Sequence, residues 1–142
     1  MGPTTSKISS WLGRVLRGQA VPSPEQLRIV NRTRQTGIGD RIEVADRGER
    51  RRKGLLGRTG LAPGEGLWIV PCEAVHTFGM KFAIDLIFLD RKWRVVKVRH
   101  AVRSGRISGS LRAHSVVELP AGTVRASLTE TGDQLDFEPV SA

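Results

Sequence analysis

The chain has no tyrosine and a single cysteine among its 142 residues, and only 5% of it is aromatic. Four Phe and three Trp leave few large anchors for a core. Packing must therefore lean on Val, Ile and Leu, the branched side chains that suit strands. One cysteine excludes an internal disulfide and a zinc site built from cysteines alone. It fits a reducing compartment, and a cytoplasmic location is the expectation. No segment approaches the roughly 18 apolar residues of a membrane span. Lys7 is followed by no continuous apolar stretch, which argues against a secretory signal. Acidic residues are scarce, 14 Asp/Glu against 23 Lys/Arg, and the formal net charge is +9. Glycine-rich nucleotide loops, the H-E-x-x-H helix and the G-x-S-x-G elbow are all missing, so the commonest nucleotide, metalloprotease and hydrolase signatures are not available.

What is present is a length suited to one domain with a real core. Sixteen Gly and seven Pro imply many turns, the pattern of short strands. The positive charge is divided. Residues 1–58 hold 13 Lys/Arg against 5 Asp/Glu, and residues 91–112 hold 8 Lys/Arg and no acid. Mildly acidic stretches follow each. Such a surface attracts polyanions, whether nucleic acid or anionic lipid, with Arg50, Arg51, Arg52, Lys53, Arg94, Arg99, Arg103 and Arg106 as candidate contacts. The competing reading is a solvated basic face. No nucleic-acid module accompanies the charge.

Along the chain, residues 1–24 read as an appendage. Ile8, Trp11, Leu12, Val15 and Leu16 stand at helical spacing until Pro22-Ser23-Pro24 interrupts. Docking on the domain, disorder and contact with an anionic lipid surface are all open for it. Residues 25–142 form a single β-rich domain. Leu27–Thr33 and Arg41–Val44 read as strands joined by a turn at Thr36–Asp40. Asp46 and Glu49 resemble a capping box for a short basic helix over Arg47–Leu56. Leu67–Val70, Ala83–Leu89, Trp93–Val98, Ser115–Leu119 and Gln134–Phe137 complete the strands. Ala101–Arg112 reads as a long loop and Thr123–Glu130 as a helical turn. Six to eight short strands with one short helix predict a compact β-sandwich or partly closed, jelly-roll-like barrel.

Between two of these strands lies the run V-P-C-E-A-V-H-T-F-G-M-K-F-A-I-D-L-I-F-L-D, Val70 to Asp90. It places a Cys, a His, a Thr and a Met in an irregular stretch beside an apolar strand. With Arg52-Lys53-Gly54-Leu55-Leu56-Gly57-Arg58 and Gly64-Glu65-Gly66-Leu67 upstream, and Val116-Val117-Glu118-Leu119-Pro120-Ala121-Gly122-Thr123 and Gly132-Asp133 downstream, it resembles a family of small prokaryotic proteins, domain of unknown function 192. The likeness covers about Leu27 to Phe137. It implies a compact, mainly β fold and carries no established activity.

The residues themselves suggest a pocket of Cys72, His76, Thr77, Met80, Asp85 and Glu118. Thiolate, imidazole and thioether are copper-preferring ligands, which makes Cys72, His76 and Met80 weak metal candidates, with His100 or His114 as a fourth. Spacing opposes it: residues four apart on a strand are roughly 13 Å apart, so only an irregular loop could converge them. No metal or cofactor is therefore assigned. A thiolate–imidazole pair of Cys72 and His76 would be a nucleophile signature, against a His that merely holds the loop. Asp85 interrupts Ile84–Leu89, and a buried carboxylate must be paired. An ordering Asp–Arg pair and a general base are both open, and Asp85 and Glu118 could flank one pocket with His76. The leading expectation is a non-enzymatic domain that binds a small molecule or protein partner. The alternatives are an enzyme using His76 with Cys72 or Asp85, and a basic polyanion-binding accessory protein.

Overall fold

The computed structural model describes residues 26–140. In chain order it contains β1 (Leu27–Asn31), β2 (Thr36–Ala45), helix α1 (Gly48–Lys53), β3 (Glu65–Ile69), β4 (Ala74–His76) and β5 (Ile84–Leu89). There follow β6 (Val95–Val102), β7 (Ile107–Gly109), β8 (Ser115–Pro120), helix α2 (Thr123–Ala126) and β9 (Leu135–Pro139). Seven strands form one sheet in the order β6-β5-β8-β3-β2-β1-β9, and β4 pairs with β7 in a small second sheet. Every neighbouring pair is antiparallel except β2 with β3. The edge strands meet through an Arg94–Gln134 bridge. Val95 N–H donates to Asp133 O at 2.8 Å and Leu135 N–H to Trp93 O at 3.0 Å on either side of it. The sheet is thus curled into a partly closed barrel, the mainly β architecture expected. No helix among the described residues is long and apolar enough to cross a membrane.

The concave side holds one core, built from residues such as Leu27, Ile42, Trp68, Ile87, Leu119 and Phe137. Phe137 stacks obliquely on Trp68 and Trp93, with centroids 4.3 and 4.8 Å away. The convex side of β3, β5 and β8 carries a second core. There Ile69, Leu86, Phe88 and Val116 pack under Leu55, Met80 and the small sheet. These three strands are covered on both faces, which is why they read as near-continuous apolar runs. All six residues of β5 are buried.

Several sequence expectations are corrected. Thr36–Asp40 is not a turn but the first half of β2, and the turn lies at residues 32–35. Gly39 serves close packing: a β-carbon there would lie 2.9 Å from Gly64 O and 2.7 Å from Ile42 Cδ1. The helix is shorter than Arg47–Leu56. Its N-cap is Arg47, which makes no side-chain cap bond, and Gly54 at φ 50° ends it. A side chain at that φ is strained, so the chain turns there. The expected loop Ala101–Arg112 contains the end of β6 and all of β7. Strands of three residues leave no readable alternation, and their pairing comes from tertiary packing. The N-terminal helical reading of residues 1–24 falls outside the described residues.

A buried polar knot locks the seam. Asn31 Nδ2 donates to Thr129 Oγ1 at 3.0 Å and Asp133 Oδ2 at 2.9 Å, and Arg34 pairs with Asp133 at 3.1 Å. Burial alone would raise the Asp133 carboxyl, but hydrogen bonds from Arg34, Asn31 and the Glu130 N–H outweigh it and hold it below its ordinary value.

Candidate functional site

The convex face bears a cleft of about 460 Å³. Strand parity builds its floor. Leu67 and Ile69 of β3 point outward, Trp68 inward; on β8, Val116 points outward and Val117 and Leu119 inward. Glu118 falls on the outward parity, in register with Leu67 on one side and Leu86 on the other. A carboxylate is thereby set between two apolar neighbours. One wall is α1 with the strap that follows it, residues 54–58, together contributing Arg51, Arg52, Lys53, Gly54, Leu55 and Leu56. The other is the segment after β3, contributing Cys72, Val75, His76 and Met80.

Glu118 is the unusual member. It is 5% exposed, and no described residue donates a hydrogen bond to its carboxylate. Its oxygens lie 3.9 and 4.0 Å from where a Gly54 β-carbon would stand, so the strap covers it with bare backbone. Burial pushes the carboxyl up to about 7, against a pull from Arg58. Arg58 itself is ion-paired to Glu43 in a second cleft on the far side of the strap.

Cys72 and His76 share the first cleft but do not form a pair. The Cys72 thiol donates to Ala74 O at 3.1 Å. Burial pushes the thiol up, and the Glu118 charge adds to that, while Arg51 pulls the other way. His76 is exposed and its ring stacks on Phe78, centroids 5.5 Å apart. A thiol held protonated is a weak nucleophile. Cys72 should therefore react with iodoacetamide at pH 8 at least roughly tenfold slower than free cysteine, with denaturant restoring the rate. Alkylation of the folded protein at the free-thiol rate would reopen the cysteine route.

Two residues expected in the pocket lie elsewhere. Asp85 is on the concave side, fully buried, opposite in parity to Glu118. Among the described residues no arginine pairs with it. Its Oδ1 accepts the Ala101 N–H at 2.8 Å, and its Oδ2 accepts Gly122 and Val124 N–H at 3.0 and 2.9 Å. Three backbone donors satisfy the carboxylate and seat α2. Thr77 is buried below the small sheet, where its hydroxyl donates to Arg103 O at 2.7 Å and accepts the Arg106 N–H at 2.9 Å. It pins the β6–β7 loop. Asp85 therefore lies across the sheet from the cleft that Glu118 and His76 line.

The proposed basic contacts are spread over the molecule. Arg51, Arg52 and Lys53 border the first cleft and Arg50 the second. Arg94 crosses the seam to Gly132 O at 2.9 Å, and Arg99 reaches Ser108 Oγ at 3.4 Å. Arg103 and Arg106 are exposed beside Thr77. Among the described residues no three His, Cys, Asp or Glu side chains gather closely enough to hold a metal ion. His114 lies on the other side of Cys72, its ring depressed toward the neutral form by burial and by Arg91. Sequence reasoning missed Gly54, Leu55 and Leu56 as cleft residues, and the signal was there in the glycine-flanked Leu-Leu pair.

Comparison with known proteins follows the same outline. The profile of the family DUF192, described as Uncharacterized ACR, matches residues 29–137. A UPF0127 protein of Thermococcus sibiricus is 29% identical over 118 residues, covering 78% of this chain and 74% of that protein. Another from Pyrococcus horikoshii is 32% identical over 116 residues, covering 77% and 97%. Two crystal structures share the fold. One is a Sinorhizobium meliloti protein put forward as a transcription regulator, with TM-score 0.68, 21% identity and 84% and 98% coverage. The other is a Novosphingobium aromaticivorans protein of unknown function, with TM-score 0.67, 19% identity and 78% and 82% coverage. At such identities they speak to the fold alone.

Proposed function

The chain belongs to the DUF192 family of uncharacterised proteins, and we propose that it is a non-enzymatic domain that binds a small molecule in the cleft between α1 and the Cys72–His76 segment. The observation that carries this reading is Glu118, a buried carboxylate at the cleft floor with no hydrogen bond from any described residue. Setting a carboxylate this deep costs free energy unless a donor meets it, and the Glu118 oxygens open to the cleft rather than being sealed from it. A fold has no structural use for such a cost, because an apolar residue between Leu67 and Leu86 would pack without it. Retaining the group makes sense when a bound molecule supplies the missing donor. Binding without catalysis is favoured by the chemistry around it. Burial pushes the thiol up, the imidazole is stacked on Phe78, and the second buried carboxylate faces the other core.

A fragment-library screen followed by backbone amide spectra tests this. Hits should move the amides of residues 48–56 and 72–76, and Glu118→Gln should weaken most of them. Hits that map only to the second cleft or the basic loops, or none at all, would sink the reading.

A further inference from the structure

The polar groups of the cleft are ordered by depth and sign. Glu118, an acceptor, lies at the floor. Arg52 and Lys53 stand on α1 at the wall, and among the described residues neither enters an ion pair. Arg51 is held there by its bond to Asp46 O at 3.3 Å. Among the described residues no ion pair joins Glu118 to these cations, and Arg58 bears on it from the second cleft. The remaining lining is aliphatic: Leu55, Leu56, Ile69 and Met80.

Each feature selects a ligand part. Three cations repel an amine that carries no negative group, and they attract an anion. A deeply set carboxylate that receives no hydrogen bond from the described residues repels an anion that carries no donor, and it is satisfied by an ammonium. The aliphatic wall rewards methylene groups, whose burial away from water is favourable. A ligand with only one of these parts leaves the others unanswered.

We propose that the cleft takes a small zwitterion, with its ammonium at Glu118, its carboxylate or phosphate at Arg51, Arg52 and Lys53, and an aliphatic spacer between them. The inference rests on the small-ligand reading of the same cleft and specifies its ligand class. It differs from a plain anion site, in which basic side chains do all the recognition.

The test is titration calorimetry of the full chain with linear ω-amino acids, from aminobutanoate to aminooctanoate. The alkylamine and the alkanoate of matching length serve as controls. Affinity should peak at one chain length, and each control should bind roughly tenfold weaker or worse, the loss expected for one charge-assisted hydrogen bond. Glu118→Gln should reduce the amino acid to the affinity of its alkanoate, and the double substitution Arg52→Ala, Lys53→Ala should reduce it to that of its alkylamine. Thermal melts of both variants confirm that they are folded. An alkanoate that binds as tightly as the amino acid overturns the proposal in favour of an anion site. Fragments that occupy the cleft while no zwitterion displaces them overturn it alone. A cleft that takes neither removes the small-ligand reading as well.

Discussion

Replacing Glu118 by Gln should raise the stability of the domain at pH 8 by about 3 kcal/mol and leave it almost unchanged at pH 4. The carboxyl's ordinary value is 4.5 and the folded value is about 7. Between these two pH values the folded state holds a proton that the unfolded chain has already released. Stability therefore falls as pH rises from about 4.5 to about 7 and is flat above, because both states are then ionised. At about 1.4 kcal/mol per pH unit, that displacement amounts to about 3 kcal/mol. Gln keeps the shape and removes the titration, so the variant's profile should lack this slope. The groups facing Glu118 are Arg58 at the end of the strap, Arg51, Arg52 and Lys53 on α1, and Cys72 and His76 across the cleft. None of them is changed by the substitution. Urea unfolding at pH 4, 6 and 8 reads the effect. Parallel profiles for the two proteins would contradict the burial of an unpaired carboxylate. A residue whose neutralisation stabilises the fold is one retained for another reason, as binding sites commonly are.

The opposite result is expected at Asp85. Asp85→Ala removes three acceptor interactions at once and leaves the Ala101, Gly122 and Val124 N–H groups without partners. The loss should be about 4 kcal/mol. Against a typical total of about 5–15 kcal/mol this approaches unfolding. Asp85→Asn keeps one acceptor oxygen and should cost about half as much. Urea midpoints give the numbers. Hydrogen exchange supplies a check specific to the geometry, because the Gly122 and Val124 amides should lose protection before the rest of the sheet does. An alanine variant within about 1 kcal/mol of the parent would show that these amides find water instead. Two carboxylates in neighbouring strands thus have opposite consequences, and strand parity alone separates them.

That parity was partly readable in the amino-acid order. Alternation through Ile84–Leu89 places Asp85 on the face of Ile87, as found. What could not be read was that β8 lies beside β5 with Leu86 opposite Glu118, because register between distant strands is set by tertiary packing. Without that register, Asp85 and Glu118 looked like members of one pocket. The strands rich in Val, Ile and Leu were legible because both faces are buried. β4 and β7 were not, since Ala74–His76 and Ile107–Gly109 are too short for a pattern and owe their pairing to the loops that Thr77 ties together. The cleft wall from Arg51 to Leu56 was seen as a basic helix. The inward turn of Leu55 and Leu56 was legible, but not that Gly54 carries the chain across Glu118.

The pairing of β1 with β9, Leu27 opposite Pro139, bears on how the domain is made. Ribosomes deliver β1, β2 and β3 early, but β3 needs β8 and β1 needs β9 before their hydrogen-bonding edges are covered. The curled sheet therefore cannot be completed until nearly the whole domain has left the exit tunnel. Until then the nascent chain presents open strand edges, the state most prone to pairing with a neighbour. Such long-range closure also predicts folding in milliseconds to seconds rather than microseconds. A growing chain of this kind is the type of client that holding chaperones protect during synthesis.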